Sequence, residues 1–173
     1  MIYPHPFTIP SRAKRVVILS NVQEGFPMEE IGLRENDVCI HINTAVHAEE
    51  AMAVPGTYHI LLVRHGKDNE NGGWKWFAPS VIRGYDHVLF TPIHDSFATL
   101  PWWKVYYAAT KGKVPSTGFM AYRIVKEEAP HLPVVLAGFD PGVDHGTPMF
   151  AGHAWGYEAL YYERNGVKII KPK

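Results

Sequence analysis

Short apolar runs alternate with helical patterns along this chain, and the alternation restricts the folds that are open to it. Runs with the length and composition of buried strands are predicted at residues 15–20, 37–42, 57–63, 134–139 and 167–170. Helices are predicted at residues 102–107, 119–129 and 152–165, the last closed by Gly166. Strands that alternate with helices favour an α/β fold, here a mainly parallel, doubly wound, Rossmann-like sheet with helices on both faces.

The segments between these elements carry shorter patterns. A turn or short helix is predicted at residues 28–31, a further core strand at 88–90 and a short edge strand at 74–77. The segment 65–73 is rich in charge, Asn and Gly and has no apolar period, which predicts a mobile loop. Three prolines make residues 1–13 an extended N-terminal arm that is expected to lie on the surface.

Length and composition exclude several classes of protein. A chain of 173 residues with 46% apolar residues predicts one soluble domain, residues 1–173, with a core of its own. Lysine plus arginine and aspartate plus glutamate each total 17, and this balance argues against nucleic acid and membrane surfaces as partners. No apolar run approaches the ~18 residues of a membrane span, so no transmembrane segment and a cytoplasmic location are expected. Cys39 is the single cysteine and lies in an apolar run, which predicts a buried thiol and no disulfide.

A loop of small polar residues precedes the predicted helix at 119–129. Ser116, Thr117 and Gly118 leave backbone N–H groups uncovered, and a helix N-terminus attracts phosphate and carboxylate groups. Asn21 and Asn43 each follow a predicted strand at its carboxyl end, where ligands bind in open parallel sheets. These five residues are predicted to bind a ligand, and the alternative for each is an ordinary cap or turn residue.

Four separated stretches, read in order, resemble the motifs of the animal-type sialyltransferase family. The strand ends Val17-Ile-Leu-Ser-Asn21 and Asp37-Val-Cys-Ile-His-Ile-Asn43-Thr-Ala45 are similar to its large motif. Its small motif is similar to Val114-Pro-Ser-Thr-Gly118 with Val135-Leu-Ala-Gly-Phe139. Asp144-His145 stands in the place of the third motif, and His153-Ala-Trp-Gly-Tyr-Glu158 fits the very small motif, His-x4-Glu. With Cys39 alone, the disulfide that joins the large and small motifs in the family cannot form.

The resemblance implies a glycosyltransferase, with a variant of the GT-A fold, that uses a CMP-activated donor such as CMP-sialic acid. It would transfer the acidic sugar to a hydroxyl of a glycan or glycolipid acceptor, with no cofactor and no metal ion. His153 would be the general base, and His145 would hold the leaving phosphate. The donor would be bound by Asn21, Asn43, Ser116, Thr117 and Gly118.

The residues around His153 suggest further roles. Glu158 is five positions beyond His153, about 140° around a helix, so Glu158 is expected to orient a loop or backbone rather than touch the base. Trp155 and Tyr157 are the candidates for stacking on a sugar. The alternative for His153 is a surface or capping histidine.

Two other functions stay open from the sequence. A nucleotide or nucleotide-sugar binding module without transfer activity would need the same donor residues and no base. A metal-assisted hydrolase would draw on His94-Asp95 and Asp144-His145, although the ten histidines include no His-Glu-x-x-His motif. A homo-oligomer is also open, since a partner subunit would cover edge strands and exposed aromatic side chains.

Overall fold

The structure is a computed structural model, and it describes residues 8–65, 84–92, 100–143 and 151–173. Five predictions lie wholly or mostly outside these residues. They are the edge strand at 74–77, the mobile loop at 65–73, the first half of the N-terminal arm, the role of His145 and the metal centre at His94-Asp95 and Asp144-His145. The described end of the arm, residues 8–13, forms no strand or helix, and Ile9 within it packs against the core.

Six strands in the described part of the chain form one all-parallel sheet, where the sequence predicted a mainly parallel one. They are β1 (Arg15–Leu19), β2 (Asp37–Ile42), β3 (Tyr58–His65), β4 (His87–Pro92), β5 (Val134–Ala137) and β6 (Lys168–Ile170). Their order is β4-β3-β2-β1-β5-β6, so the chain builds outward from β1 in one direction and then returns to its other side. The strand predicted at residues 88–90 is present as β4, but it lies at an edge of the described sheet.

Five described helices pack around the sheet. They are α1 (Met28–Ile31), α2 (Ala48–Met52), α3 (Pro101–Ala109), α4 (Thr117–Glu128) and α5 (Trp155–Arg164). The sequence did not predict α2, because a five-residue helix is too short to show an apolar period. The helix predicted to begin at residue 152 begins at Trp155, and Gly166 follows it with a φ of +60°. None of the described helices has both the length and the apolar character needed to cross a bilayer.

Side chains of the central strands alternate between two buried clusters. Val16 and Ile18 belong to a cluster with side chains of α3, α4 and α5, whereas Val17 and Leu19 belong to one with side chains of α1 and α2. Helices therefore cover both sides of β1, as expected of a parallel sheet with continuous apolar strands. The predicted burial of Cys39 is confirmed, and burial raises the pKa of its thiol to about 12.

Two histidines of neighbouring strands form a buried hydrogen-bonded chain. The Thr57 hydroxyl donates to the Val54 carbonyl at 2.7 Å, so its oxygen accepts from Nε2–H of His59, also at 2.7 Å. Nδ1 of His59 is then the acceptor for Nε2–H of His41, 3.0 Å away. Nδ1 of His41 is buried and has no partner among the described residues. This arrangement fits two neutral rings and has no acceptor for an added proton.

The buried histidine chain predicts a loss of stability in mild acid. Burial, with smaller contributions from the nearby His59 and His47, lowers the pKa of His41 from 6.5 to about 3. Below pH 6.5 the unfolded chain therefore binds a proton that the native protein excludes, so the free energy of unfolding decreases as the pH falls. Between pH 6.5 and 5.0 we expect His41 to account for a decrease of about 2 kcal/mol, measured by urea unfolding.

His131 provides the control, because it is exposed on the surface. His131→Gln should keep the wild-type pH dependence, whereas His41→Gln should flatten it. In the folded wild-type protein, the ring resonances of His41 should show no titration down to pH 5. A normal titration of His41 near pH 6.5 would contradict the prediction.

Candidate functional site

A cleft opens at the carboxyl ends of the strands, next to the point where the strand order reverses between β1 and β5. In open parallel sheets this is the place where two neighbouring loops diverge and leave room for a ligand. The cleft has a volume of about 200 Å³. Its polar lining comes from the loops after β1, β2 and β5, the start of α4 and the segment that leads into α5.

Eight of the ten predicted site residues line this cleft. They are Asn21, Asn43, Ser116, Thr117, Gly118, His153, Trp155 and Glu158. Tyr157 does not line it, since its ring packs against Tyr106 and Phe119 on another side of α5. His145 lies outside the described residues.

The N-terminus of α4 places backbone donors at the cleft. Ser116 is the N-cap, and its Oγ accepts a hydrogen bond of 3.1 Å from the N–H of Phe119. The first two N–H groups of the helix belong to Thr117 and Gly118. They have no acceptor among the described residues. Gly118 is needed here because a Cβ at this position would lie 2.3 Å from the ring of Phe139. The first turn is therefore open to an acceptor bound in the cleft.

Asn21 and Asn43 line the same cleft as this helix end. Asn43 has a left-handed backbone, with a φ of +50°, which asparagine tolerates better than most residues. Its Nδ2 donates to Oγ1 of Thr117 at 3.2 Å, and this leaves the Thr117 hydroxyl hydrogen to donate elsewhere. Oδ1 of Asn21 is buried and has no donor among the described residues.

Glu158 is a buried carboxylate that ties three segments together. Its Oε1 accepts from the N–H of Ser116 at 2.7 Å and from the Tyr106 hydroxyl at 2.8 Å. Its Oε2 accepts from the Ser116 hydroxyl at 2.6 Å. Burial, followed by the charge of Glu158 and this hydrogen bond, raises the pKa of the Tyr106 hydroxyl. Glu158 thus holds the loop before α4 against α3 and α5.

The same hydrogen bonds change the role of Ser116. The sequence predicted that Ser116, Thr117 and Gly118 contact a ligand. Glu158 takes both the hydroxyl and the backbone N–H of Ser116, so neither is available as a donor to a bound molecule. Ser116 instead caps α4 and fixes the position of Thr117 and Gly118.

His153 lies before α5 rather than inside it. Its Nδ1 is 2.8 Å from the carbonyl oxygen of Val114, and a carbonyl can only accept, so Nδ1 carries the proton. In the neutral ring, Nε2 is then the basic nitrogen. The ring meets that of Trp155 edge-on, with centroids 5.0 Å apart. Backbone and side-chain contacts thus fix both the orientation and the tautomer of His153.

Sequence reasoning missed the residues that join the ends of β1 and β5. Oγ of Ser20 donates to the carbonyl of Gly138 at 2.8 Å. Gly138 has a φ of +75°, and a Cβ at this position would lie 2.4 Å from Oγ of Ser20. A glycine directly after a buried strand, as Gly138 is after β5, is the sequence signal for this close approach.

The described lining of the cleft offers mainly neutral donors. It contains no lysine or arginine, and the carboxylate of Asp140 forms an ion pair of 2.8 Å with Lys171. Across the described ranges, no group of three or more His, Cys, Asp or Glu side chains is placed to hold a metal ion. His94, Asp95, Asp144 and His145, the candidates for a hydrolytic metal centre, lie outside those ranges.

No protein-family model matches the chain, and neither the search of curated proteins nor that of solved structures finds a significant match.

Proposed function

We propose that the cleft binds a CMP-activated acidic sugar, such as CMP-sialic acid, and transfers the sugar to a hydroxyl of a glycan or glycolipid. One observation carries this proposal. Three of the four motifs that resemble those of sialyltransferases, spread between Asn21 and Glu158, contribute side chains to a single cleft, and the other, Asp144-His145, lies outside the described residues. The reversal of strand order beside β1 is also what a doubly wound, Rossmann-like sheet of the GT-A-like kind would have.

In the proposed complex, the neutral donors of the cleft hold the nucleotide phosphate. The N–H groups of Thr117 and Gly118 lie at the positive end of the α4 dipole, and the Thr117 hydroxyl adds a third donor. The amides of Asn21 and Asn43 provide groups for the ribose or the base. As phosphate leaves, it gains charge, and donors that are already in place stabilise that charge without reorganising.

His153 acts as the base in this scheme. Its Nε2 takes the proton of the acceptor hydroxyl while the hydroxyl oxygen forms a bond to the anomeric carbon of the sugar. The bond between that carbon and the phosphate oxygen breaks, and its electron pair stays with CMP. Nδ1–H keeps its bond to the Val114 carbonyl throughout, so the ring does not have to turn to accept the proton.

The proposal predicts selective stabilisation by CMP. Thermal unfolding of the full chain would be measured with CMP, UMP and AMP, each at a range of concentrations. CMP at about 100 times its dissociation constant should add about 2.7 kcal/mol and raise the midpoint by several degrees. UMP and AMP should require higher concentrations for the same shift. Equal shifts with all three nucleotides, or none, would contradict the proposal.

A pair of threonine variants tests whether CMP binds in the cleft. Thr117→Val keeps the shape of the side chain and removes the hydroxyl, so CMP binding should weaken about tenfold. Thr8→Val changes an exposed threonine near the N-terminus and should leave CMP binding unchanged. If both variants bind CMP as the wild type does, the nucleotide does not contact Thr117.

A further inference from the structure

A second cavity lies between α3, α4 and α5, and it shares no lining residue with the cleft. We call it the aromatic groove; its volume is about 230 Å³. Five rings line it, from Trp102, Tyr106, Phe119, Tyr157 and Tyr161. Val105, which is 63% exposed, and Arg123 complete the lining, so the groove opens to solvent.

Arg123 brings a positive charge between two of these rings. Its Cζ is 5.5 Å from the centroid of Trp102 and 5.6 Å from that of Tyr161. One terminal nitrogen donates to the Tyr161 hydroxyl, and the other is 3.8 Å from the carboxylate of Glu127, four residues along the helix. The guanidinium is thus held in place by stacking and by one hydrogen bond, with a loose ion pair at its edge.

Two N–H donors in the lining residues of the groove have no acceptor among the described residues. They are Nε1 of Trp102 and Nε of Arg123, and both atoms are buried. Trp102 as a whole is only 8% exposed. Buried donors are nearly always paired, because a donor removed from water without an acceptor costs free energy. Both atoms are closed to solvent, so a ligand in the groove meets the rings and the charge of Arg123 rather than these two donors.

We propose that the aromatic groove binds a sugar that carries a carboxylate, such as a hexuronic acid. Aromatic rings favour the apolar C–H faces of a sugar ring, whereas the cation of Arg123 favours a charged acceptor. The volume suits one sugar residue rather than an extended ligand. This proposal depends only on the groove and does not require the function proposed for the cleft.

The test uses the full chain with 15N-labelled tryptophan and free glucuronate as the probe. The indole N–H resonance of Trp102, identified by its absence in Trp102→Phe, should shift and saturate as glucuronate is added. Glucose, titrated at the same ionic strength, should bind at least about tenfold more weakly, because it lacks the carboxylate. Saturating CMP should leave the glucuronate titration unchanged, since the groove and the cleft are separate.

Two arginine variants test whether Arg123 provides the positive charge that binds glucuronate. Arg123→Met keeps an apolar stem and should weaken glucuronate binding at least about tenfold, as expected for a lost hydrogen bond to a charged group. Arg164→Met removes an exposed arginine from α5 and should change nothing. If Arg123→Met does not fold, Trp102→Phe still tests the site by calorimetry, with an expected weakening of several-fold.

Several results would overturn the proposal. If glucose and glucuronate bind with equal affinity, the groove does not recognise the carboxylate. If acetate binds as tightly as glucuronate, the groove does not recognise the sugar ring. Displacement of glucuronate by CMP would place the sugar in the cleft instead. A Trp102 resonance that shifts with protein concentration alone would show that a second copy of the chain covers the groove.

Discussion

Replacing His153 by alanine is expected to reduce sugar transfer from CMP-sialic acid by about 100- to 10,000-fold, the usual contribution of a general base. The expectation follows from the tautomer that the Val114 carbonyl imposes, because it makes Nε2 the basic nitrogen of the ring at the cleft. The measurement is single-turnover transfer to a panel of glycan and glycolipid acceptors, with donor hydrolysis followed in parallel.

Stabilisation by CMP distinguishes a variant that has lost only the base from one that has lost its fold. His153→Ala should keep the CMP-dependent rise in the unfolding midpoint, because the phosphate donors belong to α4 rather than to His153. His131→Ala removes an exposed histidine and should transfer sugar at the wild-type rate. Normal turnover by His153→Ala would reject His153 as the base, even if CMP binding remained.

A wild-type protein that binds CMP and transfers nothing would favour the alternative function. In that case the cleft is a nucleotide or nucleotide-sugar binding site, and the effect of His153→Ala would be limited to binding. The same experiments therefore distinguish a transferase from a binding module.

Most of the sheet could be predicted because each of its strands carries a local signal. The predicted bounds of β2 match the structure, and those of β1 and β5 differ by one or two residues at their carboxyl ends. Each of these runs is mainly apolar, with Asp37 and His41 as the polar residues of β2, and a mainly apolar run is the pattern of a strand covered on both faces. The edge position of β4 could not be predicted, since an isolated run does not reveal its neighbours in the sheet.

The place of Tyr157 illustrates what short-range reasoning misses. Tyr157 and Trp155 are close in sequence to His153, which suggested that both rings face the same ligand. Because α5 begins at Trp155, Tyr157 lies about 200° further around the helix and points toward Tyr106 and Phe119. Glu158, three positions beyond Trp155, returns to the side of the cleft, as residues at that spacing do.

The role of Ser116 depends on a partner that the sequence does not identify. A serine before a helix is a common N-cap, and that part of its role was predictable. Its second partner, Glu158, is 42 residues away along the chain, and only the packing of α5 beside α4 brings the two together. Local patterns therefore predicted the helix end but not the carboxylate that anchors it.

That anchor gives the second large effect that we expect. Glu158→Gln should lower the free energy of unfolding by about 2–4 kcal/mol, since hydrogen bonds to a charged acceptor and buried unpaired donors are both costly to disturb. The amide oxygen can still accept, but the NH2 group faces the hydroxyl of Ser116, so the O–H of Ser116 loses the acceptor that it has in Glu158. For a chain of this length the unfolding midpoint should fall by about 5–15 °C.

Glu163 on the same helix offers a matched control because its side chain is exposed. Glu163→Gln should change the free energy of unfolding by less than about 0.5 kcal/mol, as most surface substitutions do. A destabilisation of Glu158→Gln no larger than that of the control would show that the buried carboxylate contributes little.

The double variant Glu158→Gln/Tyr106→Phe tests whether the hydrogen bonds act as one network. Tyr106 and Ser116 donate to the same oxygen of Glu158, so the two substitutions should destabilise the protein by less than the sum of their separate effects. Strict additivity would contradict the network.

The same carboxylate holds the N-cap of α4, so Glu158→Gln should also weaken CMP binding at Thr117 and Gly118. This effect would be indirect, because the oxygens of Glu158 are turned toward Ser116 and Tyr106.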